Sequence, residues 1–106
     1  MINKECFSYS LENNVLEIKL DGEIDHHNAV KLRSEADGLI KKYTPKKVVL
    51  NLENIDFMDS SGLGFIMGRV ALSQKQGGTL TVKKPSKSVQ KICHLAGLER
   101  IVKFEK

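Results

Sequence analysis

The stretch KVVLNLENIDFMDSSGLGFIMGRVALSQKQ, residues 47–76, decides the fold class. Its apolar beginning shows little alternation, which predicts a strand over Lys47–Leu52 that is covered on both faces. A loop is expected over Glu53–Asp59. A helix then begins at Ser60 or Ser61 and continues to about Gln76, because the glycines that follow accept the left-handed conformation of a helix end.

Upstream of this stretch the pattern is that of a hairpin. Apolar and polar residues alternate over Phe7–Leu11 and again over Val15–Leu20, which predicts two half-buried strands. The Asn13-Asn14 pair between them tolerates positive φ and favours a tight turn. Asp21-Gly22 is expected to end the second strand. An antiparallel hairpin therefore precedes the rest of the sheet.

Helices and strands alternate through the rest of the chain. Apolar residues recur three and four positions apart over Ala29–Tyr43, which predicts a helix with Asp25 as a candidate cap. A short strand is expected over Thr79–Lys83, a third helix opening at Pro85-Ser86, and a last strand over Ile101–Phe104. The order predicts an α/β domain with a mixed, mostly parallel sheet and three or so helices.

Length and composition fit one soluble globular domain over residues 1–106. Apolar residues make up 41% of the chain, and its longest apolar runs are far shorter than the ~20 residues of a membrane span. The start MINKECFSYS has no apolar signal region, so a cytoplasmic protein without a membrane segment is expected. Cys6 and Cys93 form no C-x-x-C motif and are expected to be free thiols, although a single disulfide stays open.

The basic residues are unevenly distributed. The net charge is +4, yet residues 60–98 contain no Asp or Glu and carry six Lys or Arg residues. Such a stretch suits nucleic acid, an acidic partner or a plain solvated surface. The aromatic residues are scattered rather than interleaved with the lysines, so stacking on nucleic acid is not expected. His26, His27 and His94 lack zinc-site spacing, and no metal is expected.

Two segments are candidates for the functional site. In open α/β sheets functional loops lie at the carboxyl ends of parallel strands, which places Asp21–His27 and Asp56–Gly64 at a shared edge. The second segment puts two hydroxyls and two glycines at the start of a helix. Free N–H groups and the helix dipole favour an anion there.

Several functions compete for this second segment. Gly62, Gly64 and Gly68 are out of register for the dinucleotide motif, and the acidic residue expected about 20 positions later is missing. A serine nucleophile would need a glycine two residues before it, and no serine here has one. A plain helix cap and a regulatory serine that accepts a phosphate both fit, and they are compatible with one another.

The predicted second helix has two apolar faces. Leu63, Ile66 and Met67 share one face, with Val70 and Gln74 continuing it, and this face is expected to be core. Phe65, Gly68 and Leu72 lie opposite. Phe65 and Leu72 either pack against a neighbouring helix or form an exposed apolar patch for protein docking.

These residues resemble a known family. Asn51–Glu53, Phe57–Gly64 and Met67–Arg69 are similar to the anti-sigma factor antagonists of the STAS domain family, and Leu20–His27 looks like the sporulation branch. The resemblance extends from about Ser8 to Phe104. In this family a further helix usually follows the last strand, whereas the sequence ends at Lys106.

The resemblance implies a partner switch rather than an enzyme, with no cofactor. Ser60, the first serine after the motif aspartate, matches the family's phosphorylation site. The phosphate comes from ATP bound to an anti-sigma factor that is also a serine kinase, and a serine phosphatase removes it. The unphosphorylated form binds the anti-sigma factor and frees the sigma factor. The positions expected to face the partner are Asp25, Asp59, Ser61, Gly62, Leu63, Phe65 and Leu72.

Three other functions remain open from the sequence. A general-stress antagonist would use the same serine segment with a different kinase. A nucleotide-binding or phosphoryl-handling enzyme would place its site around Ser60. A nucleic-acid-binding module would use the basic stretch. A phosphate on Ser60 would add charge beside Asp59, Asp56 and Asp25, which favours the switch because a dianion is costly to desolvate at an interface.

Overall fold

The structure, a computed structural model, describes residues 7–105. The elements are, in chain order, β1 (Phe7–Glu12), β2 (Val15–Ile24), α1 (Ala29–Tyr43), β3 (Lys47–Met58), α2 (Ser60–Lys75), β4 (Thr79–Lys83), α3 (Lys87–Leu95), a 3-10 helix (Leu98–Arg100) and β5 (Lys103–Glu105). The predicted order of strands and helices is confirmed. Cys6 lies outside the described residues, whereas the thiol of Cys93 is buried and free.

Within residues 7–105 the strands form one sheet in the order β1-β2-β3-β4-β5. β1 pairs antiparallel with β2, and the other neighbouring pairs are parallel. Asn13 and Asn14 both adopt positive φ in the turn of the hairpin, as expected from their short polar side chains. The mixed, mostly parallel sheet that the sequence predicts is therefore confirmed.

The core lies between one face of this sheet and the helices. On β3 the inward residues are Val48, Leu50 and Leu52, and they pack in one cluster with apolar residues of α1, α2 and α3. Each helix contributes through spacing of three and four residues, for example Leu32, Ala36 and Ile40 on α1. Burial of this apolar face is the main stabilising contribution to the fold.

The opposite face of β3 is shielded partly by polar side chains, whereas the apolar sequence predicts cover of the same kind on both faces. Val49 and Asn51 point away from the helices and are nearly buried, but the neighbours that shield them include polar side chains. Asn51 donates from Nδ2 to Oε2 of Glu17 at 2.9 Å, and Nζ of Lys83 lies 3.5 Å from the other oxygen of that carboxylate. Burial on both faces is confirmed, but apolar packing occurs on only one.

Two central strands extend further than the sequence indicates. The predicted loop over Glu53–Asp59 is wrong, since β3 continues to Met58, and β2 continues through Asp21-Gly22 to Ile24. The extensions pair with each other with register shifts between Lys19 and Asp21 and between Gly22 and Glu23. Bulges of this kind let Gly22 adopt φ +95° without ending the strand.

The helices begin and end close to the predicted residues. α1 matches its predicted span, and α2 begins at Ser60 and stops before Gly77, whose φ is +86°. Asp25 does not cap α1, because Asn28 occupies the N-cap position. No helix between residues 7 and 105 combines the length and apolar character needed to cross a membrane.

Candidate functional site

The ends of β2 and β3 bring the two candidate segments together. Ile24 pairs with Met58 across the parallel ladder, and the N–H of Asp59 donates to the carbonyl oxygen of Ile24 at 3.2 Å. The chain after Ile24 and the chain after Met58 therefore leave the sheet side by side. The shared edge predicted from the sequence is confirmed. However, Asp56, Phe57 and Met58, at the start of the second segment, belong to β3 rather than to a loop.

Asp59 caps helix α2. Its backbone is extended, with φ −102° and ψ −166°, and its Oδ1 accepts a hydrogen bond from the N–H of Ser61 at 2.7 Å. Its carbonyl oxygen accepts from the N–H of Gly62 at 2.9 Å. The cap leaves Ser60 as the first residue of the helix. Asp is among the most favourable residues at this position, so the cap explains why the helix begins here.

Ser60 is exposed to solvent at the start of α2. The position combines a hydroxyl that a protein can reach with the positive end of a helix dipole. A phosphate on this hydroxyl would lie at the end of the helix that favours negative charge, so the helix need not unfold to carry it. The neighbouring Ser61 is half-buried and engaged in the cap.

Asp25 organises the segment between β2 and α1. Its Oδ1 accepts from the N–H of His27 at 2.9 Å and from the N–H of Asn28 at 3.2 Å. Asn28 in turn accepts from the N–H of Asp25 at 3.0 Å and donates to the carbonyl oxygen of Glu23 at 2.8 Å. These reciprocal bonds make the segment a tight turn that presents His26 beside the start of α2.

The charges at this edge are mostly negative. Desolvation raises the pKa of Asp25, but the N–H groups of Asn28 and His27 and the two neighbouring histidines together place that pKa below its ordinary value. Asp25 is therefore ionised at neutral pH. His26 approaches the cap, with 3.9 Å between its Nδ1 and Oδ2 of Asp59. A partner that binds here meets carboxylates and imidazoles around an exposed hydroxyl.

Gly62 allows α2 to begin directly on the end of β3. It is buried, and a methyl group at this position would overlap Cγ of Met58 and lie 2.6 Å from its Sδ. Gly64 has open space around it instead. The predicted role of Gly62 in contacting a partner therefore stays a prediction, while its contact with Met58 is structural.

The inward face of α2 differs from the predicted one. Phe65 is only 3% exposed and belongs to the core, and Leu72 is half-buried and packs against the same cluster. The exposed docking patch is therefore wrong for Phe65, whereas Leu72 stays a predicted contact that is only half-buried. Conversely, Met67, expected in the core, is 48% exposed. α2 packs with α1 and the sheet, which rotates its buried face toward Phe65 and Arg69.

Two features near the site are missed by the sequence reasoning. Phe57 is 51% exposed although it lies within β3, and His26 contacts the cap of α2. No periodicity identifies Phe57, because the register shifts change which side chains face outward. The Asp-His-His segment is the sequence signal for His26, although it indicates the sporulation branch rather than a contact with Asp59. Leu63 is half-buried at the start of α2 and stays a candidate contact.

The arrangement offers no metal centre. Within residues 7–105 no cluster of three or more His, Cys, Asp or Glu side chains is placed to hold an ion. The site thus consists of an exposed serine, a capping aspartate and the Asp25 turn beside it.

Comparison with known proteins shows the family. The model of the STAS domain matches residues 9–106. An anti-sigma F factor antagonist from Paenibacillus polymyxa is 39% identical over 88 residues, which cover 83% of this chain and 75% of that protein. An anti-sigma-B factor antagonist from Bacillus subtilis is 29% identical over 89 residues, which cover 84% of this chain and 80% of the relative.

The solved structures agree with these relatives. The fold matches the anti-sigma factor antagonist SpoIIAA in its unphosphorylated form with a TM-score of 0.81 and 28% identity, covering 94% of this chain and 88% of that one. The phosphorylated form of SpoIIAA from Bacillus gives a TM-score of 0.73 at 27% identity, with coverage of 94% and 91%. The fold, the Ser60 segment and these likenesses lead to one conclusion: the chain belongs to the STAS domain family, among its anti-sigma factor antagonists.

Proposed function

We propose that this antagonist is switched by phosphorylation of Ser60. The unphosphorylated protein binds an anti-sigma factor that is also a serine kinase, and this binding releases the sigma factor. The kinase transfers the γ-phosphate of its own ATP to the hydroxyl of Ser60, and the phosphorylated protein dissociates. A serine phosphatase hydrolyses the phosphoserine and restores binding.

The single observation that carries this proposal is the exposure of Ser60 immediately after the cap of α2. A kinase must reach the hydroxyl in the folded protein, and a buried serine would not allow this. The capping bond is made by Asp59 to Ser61, so it does not require the Ser60 hydroxyl. Modification of Ser60 can therefore leave the helix intact.

Electrostatics explains how a phosphate would end binding. The hydroxyl lies beside Asp59 and near the ionised Asp25, so a phosphate adds about 1.5–2 negative charges to an edge that is already acidic. An interface that accepts a neutral hydroxyl at this point must then desolvate a dianion. The relative SpoIIAA is known in unphosphorylated and phosphorylated forms with this fold, which supports a switch that leaves the fold in place.

The proposed contact surface follows from what is accessible. Asp59 and Ser61 flank Ser60 in the chain, and Asp25 lies in the turn beside the start of α2. Gly62 and Leu63 belong to the same turn of α2. Phe57 adds exposed apolar area three residues before Ser60, which suits the mixture of charge and apolar contact found in interfaces. Phe65 is left out because its side chain is buried in the core.

The sporulation branch is the favoured assignment within the family. The anti-sigma F factor antagonist from Paenibacillus polymyxa shares 39% identity with this chain, against 29% for the anti-sigma-B factor antagonist from Bacillus subtilis. A general-stress antagonist with another kinase is the second candidate, since it would use the same serine. In either case the protein acts in the cytoplasm as a regulator, without catalysis of its own and without binding nucleic acid directly.

The experiment is phosphorylation by the partner. The purified protein is mixed with an anti-sigma F kinase and ATP, and its intact mass is measured. We expect a gain of one phosphate in the wild type and none in Ser60→Ala. Ser61→Ala is the matched control, because it removes the neighbouring hydroxyl, and it should be phosphorylated. Equal phosphorylation of Ser60→Ala would show that Ser60 is not the site.

A further inference from the structure

We propose that the imidazole of His26 supplies a positive charge to this switch. It pairs with Asp59 before phosphorylation and with the phosphate on Ser60 afterwards. The inference rests on the proposed phosphorylation of Ser60. It assigns to His26 a positioning role within the protein's own site.

The first argument is position. Nδ1 of His26 lies 3.9 Å from Oδ2 of Asp59, and Asp59 directly precedes Ser60. The other carboxylate oxygen, Oδ1, is occupied by the N–H of Ser61, so Oδ2 is the one that faces the imidazole. A phosphate attached one residue later along the chain comes within reach of the same ring.

The second argument is that the backbone that carries the ring is held near this place. The turn that carries His26 is closed by bonds from the N–H groups of His27 and Asn28 to Oδ1 of Asp25 and from Asn28 Nδ2 to the carbonyl of Glu23. The bond from the N–H of Asp59 to Ile24 ties the start of α2 to the end of β2, from which this turn leaves. The distance between the two segments is therefore set by backbone hydrogen bonds.

The third argument is charge. The two segments of the edge, Asp21–His27 and Asp56–Gly64, together contain five acidic residues and no Lys or Arg. The histidines at 26 and 27 are the basic side chains of these two segments. A phosphate on Ser60 would be repelled by Asp59, and a protonated imidazole is the group of this edge that can offset the repulsion.

The groups that surround His26 are of both signs. Asp59 and Asp25 face it with negative charge, and His27 stacks against it with 4.0 Å between the ring centroids. Glu23 and Asp56 add negative charge at the strand ends, whereas the amino ends of α1 and α2 add partial positive charge. A phosphate on Ser60 would therefore enter surroundings that are mostly acidic.

The phosphate is the group whose titration reports the proposed pair. A phosphoserine loses its second proton near pH ~6, and a positive charge beside it favours the dianionic form. The contact with His26 should therefore be visible in the titration of the phosphate.

The experiment measures the titration of the phosphate itself. Phosphoserine is introduced at position 60 during translation, so that the sample does not depend on any kinase, and its 31P resonance is followed against pH. A nearby cation favours the dianion, so the midpoint should lie higher in His26→Gln than in the wild type by about 0.5 pH unit. His26→Lys carries a permanent charge and should restore or exceed the wild-type behaviour.

His27→Gln is the matched control, since it removes the adjacent ring and leaves His26 in place. We expect its 31P midpoint to stay close to that of the wild type. Equal midpoints in wild type and His26→Gln would overturn the inference, and so would a larger change in His27→Gln. Failure of the kinase to modify Ser60 would count against the proposed function alone, because the 31P measurement uses phosphoserine supplied independently.

Discussion

Asp37 of α1 and Arg69 of α2 form an ion pair that joins the two helices, with 2.7 Å between Oδ1 of Asp37 and Nε of Arg69. Arg69 is only 5% exposed. Burial lowers the pKa of its guanidinium, and the charge of Asp37 opposes that change. Nη2 of Arg69 donates to the other oxygen, Oδ2, at 3.5 Å, while Nη1 has no hydrogen-bond partner within residues 7–105. The pair thus joins α2 to α1 through both oxygens of one carboxylate.

The two partners of this pair should respond differently to substitution. Asp37→Asn leaves a buried guanidinium without its counter-charge and should lower the free energy of unfolding by about 2–3 kcal/mol. Arg69→Met removes the charge that needs a partner, so its cost should be smaller. Urea unfolding of the two variants checks this. Equal stability of Asp37→Asn and wild type would show that the pair contributes nothing.

Phe65→Ala should lower the stability of the fold. Its ring is part of the core cluster, so truncation should lower the free energy of unfolding by about 3 kcal/mol. Met67→Ala is the control on the same helix, because its side chain is half exposed and its loss should change stability by less than about 0.5 kcal/mol. Thermal unfolding followed by circular dichroism compares them. Similar melting temperatures for both variants would contradict the observed burial.

Gly62→Ala and Gly64→Ala should have opposite effects. The new methyl group at position 62 would overlap Met58, so the side chain of Met58 or the first turn of α2 must shift and stability should fall. At position 64 there is open space, and Ala should stabilise the helix by about 0.5–1 kcal/mol. Chemical denaturation measures both. A stable Gly62→Ala with unchanged amide resonances at Ser60 would refute the close approach.

Ser60→Asp should keep the fold and lose affinity for the anti-sigma factor. The carboxylate lies at the favourable end of α2, so the free energy of unfolding should change by less than about 1 kcal/mol. Ser60→Asn has nearly the same shape without the charge and serves as the control. Isothermal titration calorimetry against the partner should show weaker binding for Asp than for Asn. Equal affinities would argue against the electrostatic account.

The buried thiol predicts a loss of stability at alkaline pH. Burial, with a smaller contribution from the charge of Glu99, raises the pKa of Cys93 to about 11. In the unfolded chain a thiol titrates near pH ~8.5, so between these values the folded state binds more protons and stability falls as pH rises. The loss should approach about 2 kcal/mol near pH ~11.

Cys93→Ala removes this titration and leaves every other group in place. Denaturant unfolding of wild type and Cys93→Ala at pH ~8 and pH ~10.5 isolates the effect, because Tyr and Lys titrate in both proteins. The wild type should lose more stability than the variant between the two pH values. Parallel losses would mean that the Cys93 thiol is accessible to solvent in the folded state.

Periodicity and turn residues predicted most of the fold. The spans of α1 and β4 matched, and α2 was placed to within a residue or so, because capping and glycine signals are local in the sequence. The position of Ser60 at a helix start followed from the same signals. Functional loops of parallel sheets lie at the carboxyl ends of the strands, and this rule predicts Asp25 and Ser60 at one edge. The structure shows them there.

What could not be predicted depends on contacts between distant segments. The extension of β3 to Met58 exists because β2 pairs with it through irregular registers, which no local pattern of polar residues such as Asn54 and Asp56 reveals. The rotation of α2 that buries Phe65 and exposes Met67 is set by its packing on α1. The contact of His26 with Asp59 joins residues 33 positions apart and follows from the same pairing.

The backbone bond between the N–H of Asp59 and the carbonyl of Ile24 has a consequence for recognition. It fixes the spacing between the Asp25 turn and the Ser60 helix start before any partner arrives. Little conformational entropy is then lost when the complex forms, so a modest contact area can give useful affinity. For the same reason, a phosphate on Ser60 could not be moved away from a bound partner by rearrangement of a flexible loop.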